Sequence, residues 1–278
     1  MNITFIGGGN MASAIIGGLL ANGQAPENIR VVEIDPAIQD HLNRRFGVAC
    51  FSASGKAALE GARVVVLAVK PQQVPQAAAQ LRPLLAGQLV LSIAAGIRLV
   101  DLARWLGANC TLVRAMPNTP ALIGKGITGL VDFSVPPQGI LSQDDIKLVE
   151  NITNAFGKSV WVKDEDEINA VTAVSGSGPA YVFYFIEALE QAARELGLPA
   201  DTAHQLALST FAGAAELAAQ STDSIAVLRG RVTSKGGTTE AALRCMAEDH
   251  VKEAIIRAVK AANARGRELG EELGMHRD

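Results

Sequence analysis

Aromatic side chains make up only 4% of the 278 residues, although hydrophobic residues as a group reach 49%. An interior under that restriction is filled by Ala, Leu, Val and Ile, the side chains of closely packed sheets and helices. Cysteine is as scarce: Cys50, Cys110 and Cys245 stand far apart, and none belongs to a CxxC pair. This excludes a disulfide framework and a thiolate zinc site, and it fits a reducing, cytoplasmic setting. The four histidines, at 41, 204, 250 and 276, show no HxxxH or other ligand spacing, so no metal is expected. The formal net charge is only −3, which gives nucleic acid and anionic membranes little to hold. No apolar stretch reaches about 18 residues without polar interruption, and no basic leader precedes the first strand-like run. Neither a membrane span nor an export signal is expected. The partners left are small molecules and further copies of the same chain.

The length suits two domains. Residues 2 to 6 form a short apolar run ending in Gly7, Gly8, Gly9, Asn10, Met11 and Ala12, with a helical pattern directly behind. Strand, glycine turn and helix are the context that a GxGxxA spacing needs to bind a dinucleotide. Gly7 makes the tight turn, Gly9 lets a pyrophosphate approach the backbone, and Ala12 permits close helix packing. A second strand over residues 29 to 34 carries Glu33 and Asp35 at its end, somewhat over 20 residues beyond the glycines. Either acid is a candidate partner for a ribose 2′-OH, and an acid there repels a 2′-phosphate.

Three further apolar runs end in candidate cofactor residues. Residues 63 to 69 lead into Lys70 and Pro71, and residues 88 to 93 lead into Ala94, Ala95 and Gly96. Binding sites of doubly wound sheets lie beyond the carboxyl ends of their strands, which places Lys70 to touch the cofactor while Pro71 stiffens the turn; Ala68, Val69 and Pro71 join Lys70 as cofactor-binding candidates. A strand over 111 to 115 precedes Met116 to Pro120, where Asn118 serves either a carboxamide or its own turn. Strands over 126 to 131 and 159 to 162, around a helix over 143 to 156, complete an α/β domain at 1–163.

From 164 to 278 the patterning is all helical, with segments over 168–174, 179–196, 200–220 and 225–229 and a last one from 240 onward. The acidic run Asp164 to Glu167 reads as a solvated linker. The segment 203 to 219 is alanine-rich and apolar around much of its circumference, which calls for cover by a partner subunit. His204 and the group Tyr181, Phe183, Tyr184 and Phe185 read as core or interface. Near the end, Ser234, Lys235, Gly236, Gly237, Thr238 and Thr239 stand directly before a helix-forming run. With Thr238 or Thr239 as cap, the helix start offers free backbone N–H groups that hold a carboxylate or phosphate.

Taken in order, IGGGNMA at 6–12, AVKP at 68–71, SIAAG at 92–96, AMPNTP at 115–120, AVTAVSGSGPAY at 170–181 and VTSKGGTTEAAL at 232–243 resemble pyrroline-5-carboxylate reductases over essentially the whole chain. The resemblance implies a Rossmann-type doubly wound domain followed by an all-α dimerisation domain, in a homodimer or a ring of dimers. It also implies hydride transfer from NAD(P)H to C5 of 1-pyrroline-5-carboxylate, giving L-proline. On that resemblance Ser234, Gly236, Gly237 and Thr238 hold the substrate carboxylate, Thr239 reaches the ring nitrogen, and Glu165 lies near the substrate. The family loop usually has proline where this chain has Lys235. Many members use NADPH, so both cofactors are expected to work, with NADPH named first. Two readings compete: a β-hydroxyacid dehydrogenase, for which SGSGPAYVF lacks the lysine, and a non-catalytic NAD(P)-binding sensor, which has no use for Thr239.

Overall fold

The computed structural model describes residues 1–107, 110–132 and 141–275. Strands and helices alternate first: β1 (Ile3–Ile6), α1 (Asn10–Ala21), β2 (Ile29–Val32), α2 (Pro36–Phe46), β3 (Ala49–Phe51), α3 (Lys56–Leu59), β4 (Val64–Leu67), α4 (Val74–Leu81), β5 (Leu89–Ser92), α5 (Leu99–Leu106), β6 (Thr111–Met116), β7 (Gly126–Asp132), α6 (Gln143–Asn154) and β8 (Gly157–Trp161). Only helices follow: α7 (Glu165–Val171), α8 (Gly178–Glu195), α9 (Ala200–Gln220), α10 (Ile225–Arg231), α11 (Thr238–Glu248) and α12 (Val251–Gly274).

The eight strands form one sheet in the order β3-β2-β1-β4-β5-β6-β7-β8. Strand order therefore reverses between β1 and β4, the switch point where such sheets bind ligands. All pairs are parallel except β6 with β7, which run antiparallel through Arg114 opposite Val131 and Ala115 opposite Leu130. The central strands are buried on both faces, which explains their largely apolar sequences. Alternate side chains feed two cores. Ile3, Phe5, Val64 and Val66 join Ile15, Ile16, Leu42 and Phe156 on one face, while Ile6, Val65 and Leu67 join Leu81, Leu102 and Trp105 on the other. Each such aliphatic side chain contributes roughly 1.5–3 kcal/mol on burial. Thr4, buried among them, is satisfied by donating from Oγ1 to the Ala58 carbonyl at 2.7 Å.

The sequence reading omits β3, whose three residues are too short to show a period. It also runs the last helix on from residue 240 without a break. The chain instead separates α11 from α12 at His250, which takes a left-handed φ of 53°.

Contacts divide the chain into a unit of residues 1–177 with 262–278 and a unit of residues 178–261. The boundary expected at 163/164 falls just before α7, whose packing explains the difference. Ile168 is fully buried, and Val171 lies so close to Gly129 of β7 that a Cβ there would meet it at 2.7 Å. Helix α7 thus belongs with the sheet. The end of α12 belongs there too, because Arg104 Nη2 donates to the Gly274 carbonyl at 2.7 Å.

Within the second unit, α8 and α9 meet through the stacked rings of Phe185 and Phe211, 6.5 Å apart. Ala203 and Ala207 are buried in a single chain, whereas Phe183, Tyr184, Leu206 and Leu217 stay largely exposed. Of the two alternatives expected for the aromatic group of α8, core or interface, Phe183 and Tyr184 are not core within one chain. His204 likewise faces outward, with Nδ1 2.7 Å from Glu190 Oε1.

Candidate active site

The β1–α1 turn needs glycine for a steric reason. Gly7 has φ +99°, and a Cβ there would lie 2.7 Å from the Ala68 carbonyl of the neighbouring chain segment. Gly9 is the opposite case: it is the N-cap of α1, and nothing lies within 4 Å of its missing Cβ. The first bond into the helix is Ser13 N to the Gly9 carbonyl at 2.9 Å, so the N–H groups of Asn10, Met11 and Ala12 have no acceptor in the helix. A bare helix start above an open glycine is shaped for a pyrophosphate.

This turn borders a cleft of about 480 Å³ lined by Gly7, Gly9, Glu33, Asp35, Val69 and Lys70, among others. It lies beyond the ends of β1, β2 and β4, at the switch point. Ile6 and Ala68 line it as well, whereas Ala12 is buried in the core and Pro71 opens a short 3-10 turn before α4. A dinucleotide fits this cradle.

The two acids at the end of β2 are not equivalent. Asp35 is the N-cap of α2: its Oδ1 accepts from Ala37 N at 2.8 Å. Glu33 instead reaches the glycine turn. Its Oε2 accepts from Gly8 N at 2.8 Å and its Oε1 from Asp35 N at 2.9 Å. This N-cap was legible in Asp35-Pro36, and Asp35 still lines the cleft beside Glu33.

Three other groups of expected site residues stand outside this cleft, two of them with side chains engaged elsewhere. Ala94, Ala95 and Gly96 do not line the cleft; Gly96, at φ +74°, is covered by Leu269 and Leu273 of α12. Asn118 ties its loop to two other elements, with Nδ2 donating to the Ser175 carbonyl beyond α7 at 3.2 Å and Oδ1 accepting from Ile127 N of β7 at 2.9 Å. Glu165 is an ion-pair residue. Its Oε1 accepts from Arg114 Nη1 at 2.7 Å and from Leu99 N at 2.9 Å. Burial pulls the Arg114 guanidinium below its ordinary value, and the Glu165 carboxylate offsets part of that.

The loop before α11 is built by its glycines. Gly236 takes φ +73°, and a Cβ on Gly237 would meet Ser234 Oγ at 2.4 Å. Gly237 N donates to the Ser234 carbonyl at 3.1 Å, closing the turn. The N-cap is Gly237, with no side-chain cap, so Thr238 and Thr239 are the first two helical residues and not caps. The first bond into α11 runs from Ala241 N to the Gly237 carbonyl at 3.2 Å, which leaves the N–H groups of Thr238, Thr239 and Glu240 without an acceptor in the helix. Glu240, missed in the sequence, reaches back so that its Oε2 accepts from Gly236 N at 2.7 Å. Its position three residues into the helix was the signal. Lys235 is exposed. Among the described residues no group of three or more His, Cys, Asp or Glu is placed to hold a metal ion.

Comparison with known proteins matches residues 2–96 to a family described as NADP oxidoreductase coenzyme F420-dependent, and residues 165–269 to one described as pyrroline-5-carboxylate reductase dimerisation. The second match begins next to the boundary read from the sequence, and so follows family architecture where the contact division follows packing. A pyrroline-5-carboxylate reductase of Pseudomonas aeruginosa is 41% identical over 98% of each chain. One of Arabidopsis thaliana is 38% identical over 97% of this chain and 95% of the relative. Among solved structures, a pyrroline-5-carboxylate reductase from Coxiella burnetii superposes with a TM-score of 0.89 at 41% identity, covering 96% of this chain and 98% of the other. The Plasmodium falciparum enzyme, with NADP bound, superposes at 0.84 with 27% identity, covering 97% and 98%. Full-length likeness to curated relatives and to solved structures, together with the glycine turn and the bare start of α11, shows that this chain belongs to the pyrroline-5-carboxylate reductase family.

Proposed function

We propose that residues 234–239 receive the substrate of the reaction that family membership gives this chain, the reduction of 1-pyrroline-5-carboxylate to L-proline in proline biosynthesis. The observation that carries this reading is the start of α11, where backbone N–H groups without helix partners stand beside the Thr239 hydroxyl. Such donors suit a carboxylate, and the positive end of the helix dipole adds to them.

The glycine turn would hold the pyrophosphate of a dinucleotide whose reduced nicotinamide would supply the hydride. The backbone N–H groups of Thr238 and its neighbours hold the substrate carboxylate and so fix the ring. Thr239 Oγ1 then addresses the ring nitrogen: it accepts from the iminium N–H and donates to the lone pair that forms when the C=N electrons move to nitrogen. A protonated imine is already electrophilic, so alignment and charge stabilisation suffice and no histidine base is needed. A hydroxyacid dehydrogenase must instead remove an alcohol proton. A sensor without turnover has no use for the hydroxyl of Thr239.

Asn10, Met11 and Gly9 present backbone to the pyrophosphate, and Val69 and Lys70 border the adenosine half of the cleft. NADPH and NADH both serve as donors. The exposed apolar side chains of α8 and α9 support a homodimer through the helical unit, open to assembly into rings of dimers. Among the described residues no helix is long and apolar enough to cross a membrane, and a cytoplasmic location suits the free thiols. The test is to incubate the purified chain with 1-pyrroline-5-carboxylate and either cofactor, following loss of reduced-nicotinamide absorbance and formation of proline. Proline formed in step with cofactor oxidation is expected. No turnover with either cofactor contradicts the reading.

A further inference from the structure

We infer that Glu33 sets the choice between the two donors and favours NADH over NADPH, reversing the order expected from the sequence. The inference rests on the reading of the β1/β2/β4 cleft as the dinucleotide site. Glu33 lines that cleft, and both of its oxygens are fixed: Oε2 accepts from Gly8 N at 2.8 Å, inside the glycine turn, and Oε1 from Asp35 N at 2.9 Å. Two backbone donors hold the carboxylate in place, so it does not swing away to admit a bulky anion. Each oxygen keeps a lone pair able to accept from a ribose hydroxyl.

A 2′-phosphate brings about 1.5 to 2 negative charges to the same place. It needs a cation there, and the cleft offers little. Lys70, at the end of β4, is the one base among its described lining residues, while Glu33 and Asp35 are both acids. Arg44 is engaged with Asp40 at 2.9 Å, and Arg45 lies over the ring of Phe46 at 4.9 Å. Neither arginine lines the cleft. The phosphate therefore meets a fixed like charge and a second acid, with a single lysine to offset them, whereas the hydroxyl meets an acceptor.

The experiment is a fluorescence titration of the full-length chain with NADH and with NADPH, in the absence of imine. Because no substrate is present, a failure of turnover leaves the binding ratio readable, and the two readings fail separately. NADH is expected to bind at least about tenfold more tightly than NADPH, a difference of about 1.4 kcal/mol. Glu33→Gln, which removes the charge and keeps one acceptor, is expected to bring the two within about threefold by strengthening NADPH. Equal or tighter binding of NADPH by the unaltered chain overturns the inference, and so does an unchanged ratio in a folded Glu33→Gln protein. Should that variant not fold, competition on the unaltered chain decides. Displacement of NADH by 5′-AMP at lower concentration than by 2′,5′-ADP is expected, and the reverse order overturns the inference.

Discussion

Arg114, its side chain 3% exposed at the antiparallel step from β6 to β7, donates from Nη1 to Glu165 Oε1 at 2.7 Å. The same carboxylate oxygen accepts from Leu99 N at 2.9 Å, so one side chain joins a strand, the start of α5 and the start of α7. Removing Glu165 leaves a buried cation unpaired. Glu165→Ala is expected to destabilise the chain by about 3 kcal/mol in chemical denaturation, with Arg114→Met/Glu165→Leu closer to the parent. A Glu165→Ala protein as stable as the parent contradicts this placement.

The two ends of the glycine turn should respond differently to a methyl group. Gly7→Ala meets the Ala68 carbonyl and requires a left-handed alanine, so loss of both stability and cofactor binding is expected. Gly9→Ala meets nothing within 4 Å in the fold. Its melting temperature should stay near that of the parent while the dissociation constant for NADH rises by about tenfold or more. Unchanged affinity in Gly9→Ala means that no pyrophosphate approaches there.

Thr239→Val replaces the hydroxyl by a methyl of similar size. Removing one donor to developing charge in an active site costs on the order of a hundredfold in kcat in well-placed cases. A loss of about tenfold or more in kcat is expected here, with cofactor affinity nearly unchanged. Unaltered kcat means that the hydroxyl does not act in the transition state.

Glu240 closes the loop proposed to hold the substrate, accepting from Gly236 N at 2.7 Å. Glu240→Ala is expected to cost about 1 kcal/mol of stability and to raise KM for the imine, through a looser carboxylate cradle. Equal KM and equal stability in the variant contradict the role.

Burial pushes the Cys110 thiol up to about 11. The folded value lies above the unfolded one, so the neutral thiol's contribution is fully present below the unfolded value and is lost as pH rises toward about 11. Stability should fall by roughly 2–3 kcal/mol over that window, and by less in Cys110→Ala. A Cys110→Ala chain with the same alkaline loss as the parent contradicts the assignment.

Much of the fold was legible because its signals were local. Largely apolar runs at β1, β4 and β5 marked buried parallel strands, and Gly7, Gly9 and Ala12 marked the turn between β1 and α1. The features missed depend on tertiary contacts. No spacing shows that Gly96 lies under Leu269 and Leu273, or that Glu165 faces Arg114, since the partners are dozens of residues apart or more. The direction of β7 likewise depends on the route of the chain after β6. The glycine turn before α11 was legible, but its capping was misassigned. Gly237 takes the cap position with no side-chain bond, and Glu240 instead closes the loop onto Gly236 N.

The most direct test of hydride transfer to C5 follows the hydrogen itself. The chain is supplied with 1-pyrroline-5-carboxylate and NADH carrying deuterium at both C4 positions, and the product is read by mass spectrometry and NMR. One deuterium at C5 of proline, in step with cofactor oxidation, is the expected result; proline without deuterium at C5, or cofactor oxidation without proline, contradicts it.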